Sequence, residues 1–144
     1  MSYVKIWIHA VWGTKNRKPI LVPDTRIHLF RHIKEKADEK GYGLDFINGY
    51  VDHAHCLCML NANMAISTLM QNIKGESSHW ANQQRLLKEK LIWADEYYAA
   101  SVSESQVEKV RDYIRSQEVH HRKKSFEQEC DEFIRKNGFT KNQG

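Results

Sequence analysis

The chain has 144 residues, of which 41% are hydrophobic and 28% charged, the composition of a globular protein that can bury a core. We therefore expect one domain over residues 1–144. No apolar stretch approaches the roughly 20 residues of a transmembrane helix, and the N-terminal residues do not resemble a signal peptide, so we predict a cytoplasmic protein without membrane contacts. The net charge of +4 favours polyanionic partners such as nucleic acids.

The first half of the chain predicts three strands and a helix. Residues 3–12 are rich in β-branched and aromatic side chains, which favours a central strand, and a basic loop follows. Apolar residues at helical spacing then predict a helix from Pro23 to Lys40, which glycines terminate. The apolar runs 44–50 and 51–60 predict an antiparallel pair of strands.

The middle of the chain, from the strand pair to residue 102, predicts one further helix and one further strand. Asn48-Gly49 could form the turn of the strand pair or a bulge within a strand. A helix carrying apolar residues from Ile66 to Trp80 follows, and Gly75 either interrupts it or has a packing role. A strand region is predicted within 92–102. The resulting β-α-β-β-α-β order predicts an α+β fold, an antiparallel sheet of the ferredoxin-like or RRM-like type with helices.

The end of the chain predicts further helices. Ser103, with Gln106 three residues later, is typical of a capping box that starts a helix containing Tyr113 and Gln117. The spacing of four between Tyr113 and Gln117 places a phenol and a carboxamide on one helical face. Residues 126–137 predict a last helix closed by glycine, and a loose tail is expected after it.

Two histidines stand one residue apart in the apolar run that predicts the third strand. Because side chains alternate between the faces of a strand, His53 and His55 point to the same side, a few ångströms apart. Two imidazoles fixed on a rigid sheet are suitable ligands for a divalent metal ion. Together with Tyr113 they suggest a tyrosine nucleophile that works beside a metal ion.

The cysteines do not extend this site. Three cysteines in a chain without secretion signals argue against a disulfide framework. Cys56 and Cys58 fall on the opposite strand face from the histidines, so the four side chains cannot converge on one zinc ion. We expect both cysteines to act as small buried hydrophobic residues.

Five blocks in this order resemble the single-tyrosine HUH transposases, the small transposases of the simplest bacterial insertion sequences and their relatives associated with REP elements. The resemblance covers residues 3 to 120. One departure is the small Ala54 between the histidines, where the family prefers a bulkier apolar residue. The blocks are His9 to Pro19, Asp52-His53-Ala54-His55, Lys74-Gly75-Glu76-Ser77-Ser78, the Trp93–Tyr97–Ser101-Val102 region, and Tyr113-Ile114-Arg115-Ser116-Gln117.

The resemblance implies a chemistry for these residues. Tyr113 would attack a phosphate of single-stranded DNA and form a 5′-phosphotyrosine, while His53, His55 and Gln117 would bind Mg²⁺ or Mn²⁺. The substrate would be single-stranded DNA that contains a hairpin, and family members are commonly homodimers in which the tyrosine acts in cis or in trans. The basic residues expected to contact DNA are Lys15, Arg17, Lys18, Lys74, Arg111, Arg115, Arg122 and Lys123.

Two other functions fit the same predicted fold. One is a non-catalytic RRM-like module that binds nucleic acid on its sheet, although no aromatic cluster of the RNP type is visible on the central strands. The other is a metal-dependent phosphodiesterase in which water is the nucleophile, so that cleavage would not require Tyr113.

Overall fold

The computed structural model describes residues 2–138, and the predicted tail 139–144 lies outside them. Four antiparallel strands form one sheet in the order β2-β3-β1-β4, as the ferredoxin-like plan requires. In chain order the elements are β1 (Trp7–Gly13), α1 (Pro23–Lys40), β2 (Leu44–Gly49), β3 (His53–Met59), α2 (Ile66–Gln83), β4 (Tyr98–Val102), α3 (Val107–Arg115), α4 (Gln117–His121) and α5 (Phe126–Asn137). The predicted α+β fold is confirmed.

Helices cover both faces of the sheet. The larger hydrophobic core lies between the sheet and the pair α1 and α2, and it contains Trp12, Cys56 and Cys58. On the opposite face, α3 packs on Leu57, and α5 packs on Val11 through its own apolar residues. Because β3 lies inside the sheet and is covered on both sides, its residues from His53 to Cys58 are all buried.

Two local predictions were wrong. Asn48-Gly49 is neither the turn nor a bulge: both residues pair with β3, and the turn follows them, where the Tyr50 N–H donates to the His53 carbonyl over 3.0 Å. Ser103 makes no side-chain cap, because α3 is preceded by a 3₁₀ turn and the Ser103 hydroxyl lies 3.3 Å from that of Ser105. A capping box does form at the start of α5, between Ser125 and Gln128.

The strand bounds are shorter than predicted at the start of the chain. The strand expected from residue 3 begins at Trp7, and Tyr3 is 91% exposed. Trp93 forms only an isolated bridge with Thr14 rather than a strand. In the part of the chain that the structure describes, no helix has both the length and the apolar character that a membrane crossing would need.

Gly75 lies inside the continuous helix α2, and a Cβ atom at this position would meet nothing within 4 Å. We expect Gly75→Ala to increase the free energy of unfolding by about 0.5–1 kcal/mol, because alanine loses less backbone entropy in a helix. Urea denaturation followed by circular dichroism measures the change. Gly41→Ala is the matched control: the space is equally open, but the backbone φ of 68° should make that variant less stable.

The cysteines lie on the predicted face, in the core beneath α1 and α2, and Cys56 and Cys58 are both 0% exposed. Burial raises the pKa of the Cys58 thiol to about 11, so this side chain stays neutral at physiological pH. We expect Cys56→Ala to lower the free energy of unfolding by about 1–2 kcal/mol through a small cavity. The number of metal ions bound per chain, measured by calorimetric titration, should not change; its loss would contradict the assignment of the faces.

Candidate functional site

The two histidines of β3 lie side by side beneath the helices of the second sheet face. His53 pairs with Gly13 and His55 with Val11 in the neighbouring strand β1. Both imidazoles are 0% exposed. A Cβ atom on Gly13 would lie 2.6 Å from the ring of Phe126, so glycine here allows Phe126 to stack on His53 at a centroid distance of 4.1 Å.

A polar partner holds the Nδ1 atom of each imidazole. The Nδ1 of His53 lies 2.8 Å from a carboxylate oxygen of Asp52, and that of His55 lies 2.9 Å from the Nε2 of His9. Asp52 can reach the adjacent His53 because it lies in the turn before β3, where strand alternation does not apply. These contacts direct both Nε2 atoms away from the sheet, as in histidines that bind metal ions.

Tyr113 and Gln117 meet the histidines from the helical layer. The predicted continuous helix is interrupted: α3 ends at Arg115 and α4 begins at Gln117. The Ser116 hydroxyl donates to the Asp112 carbonyl over 2.9 Å, a contact that often bends helices. The Gln117 amide nitrogen still donates to the Tyr113 carbonyl over 3.2 Å, and its Oε1 lies 3.1 Å from the Nε2 of His53.

The sequence analysis missed Glu129, which is the centre of the site. Its Oε1 lies 3.0 Å from the Nε2 of His55 and 3.1 Å from that of His53. Its other oxygen accepts a hydrogen bond from the Tyr113 hydroxyl. The ligand atoms of His53, His55 and Glu129 all lie within 4.8 Å of one another. No local pattern indicated Glu129, because it reaches the histidines only through the packing of α5 on the sheet.

His121 is a second residue of the site that was not predicted from the sequence. Its Nε2 lies 3.1 Å from Oε1 of Gln117 and 3.2 Å from Oε1 of Glu129, and its side chain is 2% exposed. The available signal was its position four residues after Gln117, which puts both side chains on one helical face.

The charges of the site depend on burial and on these contacts. Burial raises the pKa of Glu129, but hydrogen bonds from the histidines outweigh it and hold the pKa far below its usual range. Burial lowers the pKa of His55 to about 4 and that of His9 to about 3, so both rings are neutral at pH 7. Burial and the Glu129 carboxylate raise the pKa of Tyr113 well above its ordinary value. The phenol is therefore protonated in this arrangement.

The basic residues expected to contact DNA do not form one surface. Lys15, Arg17 and Lys18 lie on the exposed loop after β1, next to α5, and Arg17 pairs with Glu127 over 3.2 Å. Lys18 pairs with Glu89 over 3.5 Å. This loop is close to the histidines, since β1 ends opposite His53.

The remaining basic residues are distributed over both layers of helices. Lys74 belongs to α2, on the face remote from the histidines, and its Nζ donates to the backbone carbonyls of Ala94 and Asp95 over 2.6 and 3.1 Å. Arg111 pairs with Asp45 over 2.9 Å, at the edge of the sheet. The other three are exposed, either on α3 or just after α4: Arg115, Arg122 and Lys123.

Comparisons with known proteins identify a family and a relative of this chain. The family model "Transposase IS200 like" matches residues 2–117. The chain is 29% identical over 116 residues to the ISDra2 transposase TnpA of Deinococcus radiodurans, a match that covers 76% of this chain and 81% of that protein.

Two solved structures have a similar fold. One is a crystal structure of a candidate transposase from Deinococcus radiodurans R1, with a TM-score of 0.65 and 25% identity over 81% of this chain and 95% of that chain. The other is the REP-associated tyrosine transposase bound to a REP hairpin, with a TM-score of 0.63 and 18% identity over 84% and 72% of the two chains. With the family match spanning most of its length, the chain belongs to the IS200-like transposase family.

Proposed function

We propose that this transposase cleaves and rejoins single-stranded DNA through a covalent bond between Tyr113 and a 5′-phosphate. The observation that carries the proposal is that the Tyr113 hydroxyl and the imidazoles of His53 and His55 all contact the carboxylate of Glu129. A nucleophile beside a set of metal ligands is the arrangement that phosphoryl transfer needs.

The proposed step exchanges one phosphodiester bond for another. The Tyr113 oxygen attacks the phosphorus atom, the bond from phosphorus to the 3′ oxygen breaks, and the 3′ oxygen leaves as a hydroxyl group after it takes a proton. The hydrogen bond from the phenol to the Glu129 carboxylate holds the Tyr113 oxygen beside the histidines, and the proton that this oxygen loses to water balances the proton that the 3′ oxygen takes up. Because the phosphotyrosine retains the energy of the broken ester, the free 3′-hydroxyl can reverse the step and rejoin DNA.

The donor atoms of the site suit a divalent metal ion. His53, His55 and Gln117 present two imidazole nitrogens and a carboxamide oxygen, and Glu129 adds a carboxylate oxygen. Mg²⁺ or Mn²⁺ bound there would polarise the scissile phosphate and offset the negative charge that develops as the phenolate attacks. The hydrogen bond between Asp52 and His53 supports this role, because such partners orient metal-binding imidazoles.

The substrate that we propose is single-stranded DNA with a hairpin. The solved REP-associated relative is bound to a hairpin, and the net charge of +4 and the exposed basic residues near the site support a DNA ligand here. We propose Lys15, Arg17, Arg115, Arg122 and Lys123 as phosphate contacts, together with Lys18, Lys74 and Arg111. Affinity should then fall steeply with salt. A homodimer that acts in the cytoplasm also belongs to this proposal.

DNA can reach the site only if α5 shifts. The ligand side chains of His53, His55 and Gln117 are 0% exposed, and Glu129 of α5 is 3% exposed above them. Two contacts keep α5 packed on the sheet: Phe126 stacks on His53, and Glu127 forms an ion pair with Arg17. Binding of a phosphate beside Tyr113 therefore requires Glu129 to give up contacts that it makes in this structure.

A covalent-trapping assay tests the proposal. The full chain is incubated with hairpin DNA from the flanks of its own gene, labelled at either end, with Mn²⁺, Mg²⁺ or a chelator. We expect a metal-dependent protein–DNA adduct that retains the label 3′ to the break and releases a 3′-hydroxyl. Metal-dependent cleavage without any adduct would favour water as the nucleophile, and binding without cleavage would favour a non-catalytic module.

A further inference from the structure

The geometry points to His121 as a third imidazole ligand of the metal site, which makes the site select a transition-metal ion over Mg²⁺. The inference rests on the proposed function, because it concerns the same metal ion. It extends the site beyond the family match, which ends at residue 117, into the segment that forms α4 and α5.

The Nε2 atoms of His53 and His121 both lie close to the same two oxygen atoms, Oε1 of Gln117 and Oε1 of Glu129. His53 lies 3.1 Å from Oε1 of Gln117 and 3.1 Å from Oε1 of Glu129. His121 lies 3.1 and 3.2 Å from the same two atoms. Two nitrogens and two oxygens thus alternate in a closed ring. Neighbouring ligands of a six-coordinate ion with bonds of about 2.1 Å stand about 3 Å apart, which is the edge length of this ring.

The hydrogen bonds outside the ring leave lone pairs pointing into it. The Nδ1 of His121 lies 2.8 Å from the Lys124 carbonyl, which can only accept, so Nδ1 carries a proton. The same reasoning applies to His53, whose Nδ1 faces the Asp52 carboxylate. The Nε2 atom of each ring is therefore the nitrogen that can present a lone pair to a metal ion. The Gln117 amide nitrogen is engaged by the Tyr113 carbonyl, which leaves its oxygen towards the ring.

A cation bound in the ring would take the place of the hydrogen bonds that hold these donor atoms together. The chemistry of the donors then decides which cation binds. Three imidazole nitrogens surround the Glu129 Oε1 atom, those of His55 at 3.0 Å, His53 at 3.1 Å and His121 at 3.2 Å, and the Gln117 carboxamide lies beside them. Mg²⁺ prefers oxygen ligands and retains several waters, whereas imidazole favours later transition-metal ions such as Co²⁺, Ni²⁺ and Zn²⁺. His121 is buried against the other donors, with its side chain 2% exposed, and is therefore positioned as a ligand rather than as a surface residue.

X-ray absorption spectroscopy of the full chain loaded with Co²⁺ alone tests the inference, because it counts the imidazoles bound to the ion. We expect three imidazoles in the unchanged protein and two in His121→Ala. Calorimetric titration should show that His121→Ala binds Co²⁺ at least about tenfold more weakly than the unchanged protein. The variant should also lose the preference of the site for Co²⁺ over Mg²⁺. His120→Ala is the matched control, since that ring bonds Ser116 instead, and it should keep three imidazoles.

The outcomes separate this inference from the proposed function. The role of His121 would be overturned if the unchanged protein bound Co²⁺ through only two imidazoles, or if His121→Ala bound Co²⁺ with unaltered affinity. Neither outcome would contradict the proposed transposase function. Absence of any Co²⁺ binding would overturn both. His121→Gln is the second variant if His121→Ala does not fold, and thermal unfolding of the metal-free proteins identifies that case.

Discussion

Tyr113→Phe should abolish the protein–DNA adduct, with a fall in cleavage rate of at least about 10⁴-fold, as expected when a nucleophile is removed. The variant loses only the oxygen that we propose as the nucleophile, and the ring contacts with His9 and His55 remain. Denaturing gels of labelled hairpin DNA after incubation with Mn²⁺ measure both adduct and cleavage. Binding of the hairpin, followed by gel shift, should change by less than about threefold, because phosphate contacts dominate affinity.

The matched control is Tyr98→Phe, which removes a hydroxyl group from a half-buried tyrosine of β4 on the same sheet face. We expect this variant to keep forming the adduct. Cleavage that persists in Tyr113→Phe at more than about a tenth of the original rate would exclude Tyr113 as the nucleophile. In that case water, or another side chain, would have to be assigned the attack.

His55→Ala should weaken binding of the metal ion by about 100-fold or more and reduce cleavage in proportion at low metal concentration. The variant removes one ligand atom and leaves Glu129 without one of its hydrogen-bond partners. Calorimetric titration with Mn²⁺ measures the affinity, and cleavage at rising Mn²⁺ concentration shows whether activity returns. Some loss of stability, about 1–3 kcal/mol, is expected because a fully buried side chain disappears.

His32→Ala provides the control for burial alone. His32 belongs to α1 on the other sheet face, is 8% exposed and stacks on Trp80 of α2 at a centroid distance of 3.8 Å. It should lose comparable stability but keep its metal affinity. If His55→Ala and His32→Ala behaved alike, with a damaged fold and unchanged metal binding, His55 would be a structural histidine and the metal site would have to be sought elsewhere.

Local patterns predicted those parts of the site that depend on one element at a time. The period of two along a strand placed His53 and His55 on one face and Cys56 and Cys58 on the other, as the structure has them. The spacing of four brought Tyr113 near Gln117 even though Ser116 interrupts the helix between them. Such periods follow from backbone geometry alone.

Turns and caps were predicted less well, because several local patterns compete for them. Asn48-Gly49 matches a hairpin turn, yet both residues remain in β2, since pairing with His55 and Ala54 continues the sheet. Ser103 matches a helix cap, yet a 3₁₀ turn separates it from α3. In both cases hydrogen bonds made by neighbouring residues decided the outcome. The free-energy differences between the competing local structures cannot be read from the sequence pattern.

Periodicity and short motifs were enough to predict the βαββαβ order, the family, the histidine pair, and the tyrosine four residues before Gln117, because each of these features depends on patterns within short segments. The place of Glu129 in the site, in contrast, depends on the packing of segments that are distant along the chain. Glu129 stands 74 residues after His55, and its position over the histidines depends on how α5 packs through Phe126 on β3. Contacts between distant segments arise from the fit of whole surfaces, and no local spacing encodes them.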